Sequence, residues 1–244
     1  MANISWFSRI TWGALLLGML ILIAAPLLSK IGLVNFRASF IGLAIGGAFA
    51  VIAAVVAVFG LIRPLRDQGR LNTLIAFLGG LGIAGFLGYM VLSAMGKPPI
   101  HDISTDLENR PQFVSIAPRE YPDGQPFTDA QRKALHEVGY KDLKPLVVSQ
   151  GVETVTNTAA SVLEAMGLTI ADVDAATGRV EATESTFWFG FKDDLVVRVT
   201  TTETGKSLVD ARSVSRVGLS DVGANAKRIE TFFANLSSAL SKEG

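Results

Sequence analysis

The sequence predicts an α+β protein in two parts, three transmembrane helices followed by a soluble two-layer domain with a four-stranded antiparallel meander and helices on one face. Three observations predict this fold class. The composition is 49% hydrophobic and 18% charged over 244 residues, with a mean hydropathy of +0.40, which is too apolar for one ordinary soluble domain. Three long apolar runs occupy the first 97 residues, and the later residues follow the order helix, four strands, helix.

The first 97 residues are predicted to form a three-helix transmembrane region. Its spans lie at about 11–29, 39–62 and 72–96, and none of them contains an ionisable residue. Runs of this length cross the roughly 30 Å hydrocarbon core of a bilayer as helices. Buried helices of a soluble protein would show a polar stripe, and a cleaved signal peptide would have a shorter apolar stretch. We therefore expect an integral protein of the cytoplasmic (inner) membrane, surrounded by membrane lipids.

The basic residues next to the spans predict the orientation. The amino-terminal tail and the second loop hold Arg9, Arg63, Arg66 and Arg70, against Lys30, Arg37 and Lys97 on the other side. Because basic loops stay in the cytoplasm, this bias of four to three places the soluble domain outside, in the periplasm of a bacterium. The net charge of zero divides into +6 for residues 1–97 and −6 for residues 98–244.

Small residues recur at four-residue spacing in spans two and three, and they include Gly42, Gly46, Gly80 and Gly88. Such ridges let helix backbones approach closely. The simpler interpretation is packing of the two helices within one chain, and the alternative is a homo-oligomer formed through the same glycines. Transport by one chain is not expected, because the spans lack the polar or charged residues that mark a pathway.

Residues 98–150 are predicted to be a Pro-rich strap that contains one short helix. Six prolines fall between positions 98 and 126, which disfavours long helices and favours extended chain. Thr128 and Gln131 have the spacing of a capping box, which predicts a helix over 129–138.

Residues 151–244 are predicted to be the α+β soluble domain. A helix is expected over 152–166, ended by Gly167, and the last helix is expected from Ser220 or Asp221 to about Leu240. The four strands between them are expected at 168–173, 179–188, 195–202 and 207–216.

The third and fourth strands are predicted to gather charges on one face of the sheet. Their alternation places together Asp194, Arg198, Asp210, Arg212 and Arg216, which we name the hairpin face. One interpretation is an exposed salt-bridge lattice that keeps an open sheet soluble. The other is a binding face for an anionic group.

The turn after the fourth strand is a second candidate, because it brings arginines to the start of a helix. A helix amino terminus beside Arg216 and Arg228 can hold phosphate or carboxylate. Asp221 favours the simpler alternative, in which its own carboxylate caps the free amides and pairs with an arginine.

Several chemistries are not expected. The chain has no cysteine, and its two histidines, His101 and His136, match no metal-ligand spacing with their neighbouring aspartates, so neither a metal nor a cofactor is expected. The hydroxyls of Ser213 and Ser215 have no nearby base in the sequence. The acidic soluble part is poorly suited to nucleic acid.

Three motifs resemble a known family. They read PPIHDISTDLENRPQF at 98–113, FGFKDDLVVRV at 189–199 and DARSVSRVGLSDVGANAKRI at 210–229, and they are similar to domain of unknown function 1499. The resemblance covers roughly residues 98–240, and it brings no established activity, substrate or cofactor. It implies that family motif positions are occupied by Asp193, Asp194, Arg198, Asp210, Arg212, Ser213, Ser215, Arg216, Asp221, Asn225 and Arg228. The candidate ligand-binding residues are this set without Asp193 and Ser213, and no catalytic residue is assigned.

Two functions are therefore expected. The first is a membrane-anchored, non-enzymatic domain on the outer face that binds an envelope protein or an anionic ligand through the hairpin face. The alternative is an enzyme that acts on an anionic lipid or envelope substrate, with an arginine clamp and Asp194 or Asp210 as acid or base. A concave pocket at these residues favours the enzyme or ligand binding, and a flat paired lattice favours structure or protein contact.

Overall fold

The computed structural model describes residues 6–62, 70–116, 128–218 and 220–242. The chain divides into two compact units, Met1–Met95 with Phe187–Gly190, and Gly96–Thr186 with Phe191–Gly244. Arg63 and Arg66, on which the predicted orientation depends, lie outside the described residues, as does part of the Pro-rich strap, 117–127.

The first unit contains three helices that are long and apolar enough to cross a membrane, as predicted. They are α1 (Trp6–Lys30), α2 (Phe36–Ile62) and α3 (Arg70–Ala94), with mean hydropathies of 2.2, 2.6 and 2.0 over their most apolar windows. Each helix begins slightly before its predicted run, because hydropathy marks the part that crosses hydrocarbon and not the helix ends. The Asn35 side chain caps α2 by accepting a hydrogen bond of 2.8 Å from the backbone N–H of Ala38.

Glycines of α2 allow close contact with α1. A Cβ added at Gly46 would lie 2.9 Å from the carbonyl oxygen of Gly18, and one at Gly42 would lie 2.7 Å from the Cβ of Ala25. Both distances are shorter than real Cβ contacts, so these positions need glycine for the observed packing. The sequence predicted that this ridge packs on span three, whereas these two glycines face span one.

The α3 ridge packs on α2 at one glycine and is open at another. A Cβ at Gly80 would lie 2.7 Å from the carbonyl oxygen of Ala50, whereas one at Gly88 would meet no described atom within 4 Å. The contact at Gly80 agrees with the predicted packing of spans two and three.

The second unit contains three further helices. They are α4 (Asp129–Gly139), α5 (Val152–Ala165) and α6 (Ala224–Leu240). The predicted capping box begins α4, because Gln131 N–H donates to Thr128 Oγ1 and Thr128 N–H donates to Gln131 Oε1. Gly167 follows α5 with φ of 90°, the left-handed conformation that glycine adopts at helix ends.

The predicted antiparallel meander is present, but the sheet has six strands instead of four. The strands are β1 (Asp102–Ser104), β2 (Leu146–Val148), β3 (Thr169–Asp174), β4 (Arg179–Ser185), β5 (Lys192–Thr201) and β6 (Ser207–Ser215). The order is β1-β6-β5-β4-β3, and β2 also pairs with β6. The two additional strands have three residues each, which is too short for an alternation pattern to predict. They come from the predicted strap, so part of that segment belongs to the sheet.

One face of the sheet packs against α5 and α6, as predicted for a two-layer domain. Leu163 of α5, Ile229 and Phe232 of α6, and Val197 of β5 are fully buried in one common core. Each large apolar side chain buried in this way contributes about 1.5–3 kcal/mol. The helices thus occupy one sheet face, and the hairpin face lies on the other.

Candidate functional site

The charges of the hairpin face lie together on the sheet surface opposite the helices. In the antiparallel register of β5 and β6, Arg198 is directly opposite Asp210. Val197 is fully buried among the helices, so its neighbour Arg198 points to the opposite face, together with Asp194. The strand parity read from the sequence therefore identifies the correct face.

Arg198 joins the hairpin to the segment that precedes the domain helices. Its guanidinium donates to Asp210 Oδ2 at 2.9 Å and to Asp106 Oδ2 at 3.0 Å. It also donates to the backbone carbonyl of Asn109 at 2.8 Å. The Asp210 side chain is only 1% exposed, so this is a partly buried ion pair and not a surface pair.

Arg212 makes a second connection of the same kind. Its Nε and Nη2 atoms donate to the two carboxylate oxygens of Asp102 at 2.8 and 2.9 Å, which is the bidentate geometry. Arg110 donates to the same carboxylate at 3.1 Å. Arg212 also donates to the carbonyl of Pro111 at 3.2 Å. The two connections join β5 and β6 to residues 102–116, which we name the covering segment.

Arg216 holds the third carboxylate of the hairpin face. Its Nε and Nη2 atoms each lie 2.8 Å from an oxygen of Asp194. Thr183 of β4 completes the group, because its hydroxyl donates to Asp194 at 2.7 Å. A hydrogen bond to Asp194 and the negative charge of that carboxylate raise the pKa of Arg216, so the guanidinium stays positively charged.

The covering segment is also fixed to the sheet by hydrogen bonds to two buried carboxylates, those of Asp210 and Glu181. The hydroxyl of Thr105 donates to Asp210 Oδ1 at 3.0 Å. The fully buried Glu181 of β4 accepts the backbone N–H groups of Val114, Ser115 and Ile116 at 2.6 to 3.2 Å. Three successive N–H groups around one carboxylate form an anion-binding nest, which here is filled by the chain itself.

The hairpin face is therefore a closed lattice of ion pairs beneath the covering segment. The sequence left two alternatives open, an exposed salt-bridge lattice or an open anion-binding site. The observed ion pairs form a lattice, but their carboxylates are more buried than those of an exposed surface lattice. An external anion at the hairpin face would have to replace the protein's own carboxylates. The sequence did not identify Asp102 and Asp106 as the partners of Arg212 and Arg198, because these two aspartates lie far from the hairpin in the chain. It also did not identify Glu181 as the acceptor of the covering segment's backbone N–H groups.

The remaining candidate residues form a different cluster, on the helix side of the sheet. Arg228 of α6 donates to Asp193 Oδ2 at 2.6 Å and also contacts Glu184. Asn225, which is fully buried, donates to Ser215 Oγ at 3.0 Å. These polar groups saturate one another at the end of the core. The nine candidate residues thus belong to two groups on opposite sheet faces, and they do not converge on one site.

Asp221 accepts free amides at the start of α6, which is the first part of the simpler sequence interpretation. The helix itself begins after Gly223, and the arginines expected to pair with Asp221 hold Asp194 and Asp193 instead. The two oxygens of Asp221 accept the backbone N–H groups of Gly223 and Asn225 at 2.9 and 2.8 Å. Burial raises the pKa of Asp221 and lowers the pKa of His101, and burial raises the pKa of Tyr140 to about 12. This helix terminus therefore has little capacity for an external anion, since its own carboxylate occupies the amides.

Two open clefts lie between α4 and the covering segment, and their linings include Asp102, Thr105 and Asp106, which contact the hairpin face. Their volumes are ≈280 and ≈190 Å³, and both are lined by Leu107, Glu108, Lys133 and His136. His136 is 3% exposed, and its Nε2 atom has no hydrogen-bond partner among the described residues. The sequence gave no reason to select His136, because its surroundings come from residues on both sides of α4. Within the described ranges, no three His, Asp or Glu side chains are grouped to hold a metal ion.

The three apolar helices and the α+β domain with its internal ion pairs are the features of a membrane protein that carries a separate folded domain. The chain belongs to the family described as protein of unknown function, DUF1499, whose model matches residues 102–236. This match covers β1 through most of α6, and so includes the covering segment and both polar clusters. No curated protein matches the chain.

Proposed function

We propose that the chain anchors a non-enzymatic binding domain at the outer face of the cytoplasmic membrane, in the periplasm of a bacterium. Its partner is an envelope protein or an anionic ligand, and membrane lipids surround the three helices. The observation that carries this proposal is the closed ion-pair lattice of the hairpin face. The carboxylates that the enzyme alternative requires are all held by the chain's own donors.

The geometry of the carboxylates supports a binding role over acid–base chemistry. A general acid or base must exchange a proton with its substrate. Both oxygens of Asp194 accept hydrogen bonds from Arg216, and those of Asp210 accept from Thr105 and Arg198. These hydrogen bonds occupy both oxygens of each carboxylate and hold it in place, which suits a rigid scaffold for display.

An enzyme acting on an anionic lipid or envelope substrate is the second candidate function. It is favoured by the three groups near the start of α6 whose pKa values burial shifts, His101, Asp221 and Tyr140. Shifted pKa values cluster at catalytic sites, although internal polar networks shift them as well. Asp221 already accepts two backbone N–H groups, which is a structural role.

Substitution of the hairpin carboxylates distinguishes the two functions. Cells producing the full chain with Asp194→Asn or Asp210→Asn are compared with wild type by mass spectrometry of their anionic lipids and envelope precursors. Asp142→Asn, at an exposed position, is the matched control. We expect identical profiles in all strains. A precursor that accumulates only in the hairpin variants, while they remain folded and membrane-inserted, would establish the enzyme.

The outer-face orientation has an independent test, because the chain has no cysteine. Single cysteines are introduced by Glu203→Cys in the exposed β5–β6 turn and by Gln68→Cys between spans two and three. A membrane-impermeant maleimide should label position 203 in cells with a permeabilised outer envelope, and position 68 only after lysis. The reverse pattern would place the domain in the cytoplasm.

A further inference from the structure

The loop between β4 and β5 presents large aromatic side chains that the described residues leave exposed. Its base is closed by two hydrogen bonds, because Thr186 N–H donates to the carbonyl oxygen of Phe191 at 2.8 Å and Phe191 N–H donates to Thr186 Oγ1 at 2.9 Å. The residues between them, Phe187–Gly190, carry no charge, and we name them the aromatic loop. Phe187 is 73% exposed and Trp188 is 53% exposed. Apolar rings exposed side by side are typical of an interaction surface.

The aromatic loop belongs to the first unit, where it contacts the ends of two apolar helices. Lys30, the last residue of α1, donates from Nζ to the carbonyl oxygen of Phe187 at 2.8 Å, and its ammonium lies 4.9 Å from the centre of the Phe187 ring. Phe189 stacks on Phe40 of α2 with ring centroids 5.4 Å apart. A Cβ added at Gly190 would lie 3.0 Å from Cγ of Lys30, so this side chain lies directly against the loop backbone. These contacts hold the loop at one end of α1 and α2.

The helix residues that contact the loop mark the edge of the apolar spans. Lys30 directly follows the apolar run at 11–29, and Phe40 lies at the start of the run at 39–62. The 27 residues of α2 are about 40 Å long, against a hydrocarbon core of about 30 Å. A centred, upright α2 therefore extends about 5 Å beyond the hydrocarbon at each end, and Phe40 lies about 6 Å from its start. The aromatic loop is thus level with the boundary between lipid headgroups and acyl chains.

An exposed tyrosine of α3 lies at the same level. Successive spans alternate in direction, so the end of α3 is on the same face as the end of α1 and the start of α2. Tyr89 is 68% exposed and lies about 7.5 Å from the end of α3 at Ala94. Tryptophan and tyrosine are enriched at membrane–water interfaces, because the ring is apolar and its N–H or O–H donates to polar groups there. Trp188 and Tyr89 fit such an aromatic belt.

We propose that the aromatic loop inserts into the bilayer at the headgroup level, with the Phe187 and Trp188 rings against lipid and the Trp188 Nε1–H donating to a lipid oxygen. Lys30 positions the loop through its bond to the Phe187 carbonyl. The partner is bilayer lipid without headgroup selection, because the loop has no charged residue of its own. This inference goes beyond the proposed function, which assigns lipid contact to the three helices only. It rests on the insertion of those helices and holds for either orientation of the chain.

Trp188 reports on its own surroundings once the other two tryptophans are replaced. The full chain with Trp6→Phe and Trp12→Phe is reconstituted into phosphatidylcholine nanodiscs. Lipid brominated near the start of the acyl chains should quench Trp188 emission, more strongly than lipid brominated near the chain ends, and iodide in the water should quench it weakly. The matched control carries Trp188→Phe and Glu203→Trp in the same background, which moves the tryptophan to the exposed turn at the far end of β5. There iodide should quench strongly and brominated lipid should not.

Two results would overturn the proposal. Quenching of Trp188 by iodide without quenching by brominated lipid would place the ring in water. Protection from both quenchers would mean that protein, such as a second copy of the chain, covers the loop. Lys30→Gln should reduce quenching by brominated lipid and increase quenching by iodide, whereas Lys192→Gln, exposed beside the loop, should change neither. Unchanged quenching in Lys30→Gln would refute the positioning role of Lys30.

A second measurement leaves Trp12 in place, because this residue packs against the core of the three helices. Phe187→Cys in the otherwise native chain, which has no cysteine of its own, is labelled with a nitroxide. Oxygen, which concentrates in lipid, should relax this label more than a water-soluble nickel complex does. Glu203→Cys with the same label should show the reverse order. Equal orders at the two positions would overturn the proposal without reference to any tryptophan variant.

Discussion

Glu181→Gln removes one of the two carboxylate oxygens that hold the covering segment against the sheet. In the native protein Oε1 accepts the N–H groups of Val114 and Ser115, and Oε2 accepts those of Ser115 and Ile116. Glutamine keeps one oxygen and places an NH₂ donor where the other was. At least one backbone N–H then faces the donor of a fully buried side chain and loses its carboxylate acceptor.

The expected loss follows from the number of bonds affected. One hydrogen bond to a charged group contributes about 1.5–3 kcal/mol, and it is lost outright. The bonds that remain become neutral and weaken, since charge-assisted bonds are about twice as strong. We therefore expect a loss of about 3 kcal/mol from the free energy of unfolding. That is a large fraction of the roughly 5–15 kcal/mol typical of a domain.

Two measurements on the full chain in detergent check this expectation. Urea unfolding followed by circular dichroism gives the loss of stability, and limited proteolysis reports cleavage within the covering segment. Glu203→Gln, at an exposed turn position, is the matched control and should change neither. If Glu181→Gln lowers the stability by less than about 1 kcal/mol and leaves the proteolysis unchanged, the carboxylate does not hold the covering segment.

Arg216→Ala leaves the carboxylate of Asp194 without its cation and should lower the free energy of unfolding by about 3 kcal/mol, as urea titration would show; a wild-type midpoint would mean that the pair contributes nothing. In the first unit, Gly80→Leu should lower the melting temperature in detergent, because its Cβ meets backbone of α2, whereas Gly88→Leu should be tolerated; equal effects would contradict the observed packing. Burial lowers the pKa of both histidines, so below pH 6.5 the unfolded chain binds more protons and the protein loses stability on acidification. Burial raises the pKa of Asp221, so protonation of this carboxyl stabilises the folded protein on acidification, but it is one group against the two histidines. A melting temperature that rises as the pH falls from about 7.5 to 5.5 would refute the expected net loss of stability.

The features that the sequence predicted well are local ones. Hydropathy over about 20 residues identifies a membrane span without any tertiary information. The capping box of α4 is equally local, because Thr128 and Gln131 are neighbours on one helical turn. Alternation along β5 and β6 predicted which side chains share a face, since a two-residue period allows only two choices.

The features that the sequence did not predict depend on contacts between distant segments. Arg212 and Asp102 are 110 positions apart, and only the folded sheet brings them together. The three-residue strand β1 has no period of its own and exists because β6 offers an open edge. The division of the candidate residues into two clusters also depends on tertiary structure, since Arg228 reaches Asp193 only when α6 packs on the sheet.

The pairing of β1 with β6 has a consequence for biosynthesis. Asp102 leaves the ribosome early and is paired with Val214, which follows 112 positions later. At about 5–20 residues per second, roughly 5 to 20 s of translation separate the two partners. By the end of that interval the ribosome has made β1, residues 114–116 and the three apolar helices that precede them in the chain. The edge of β6 that pairs with β1 is made last. Slowing translation between these positions should therefore lengthen the period in which the nascent domain is sensitive to protease, while leaving the finished protein unchanged.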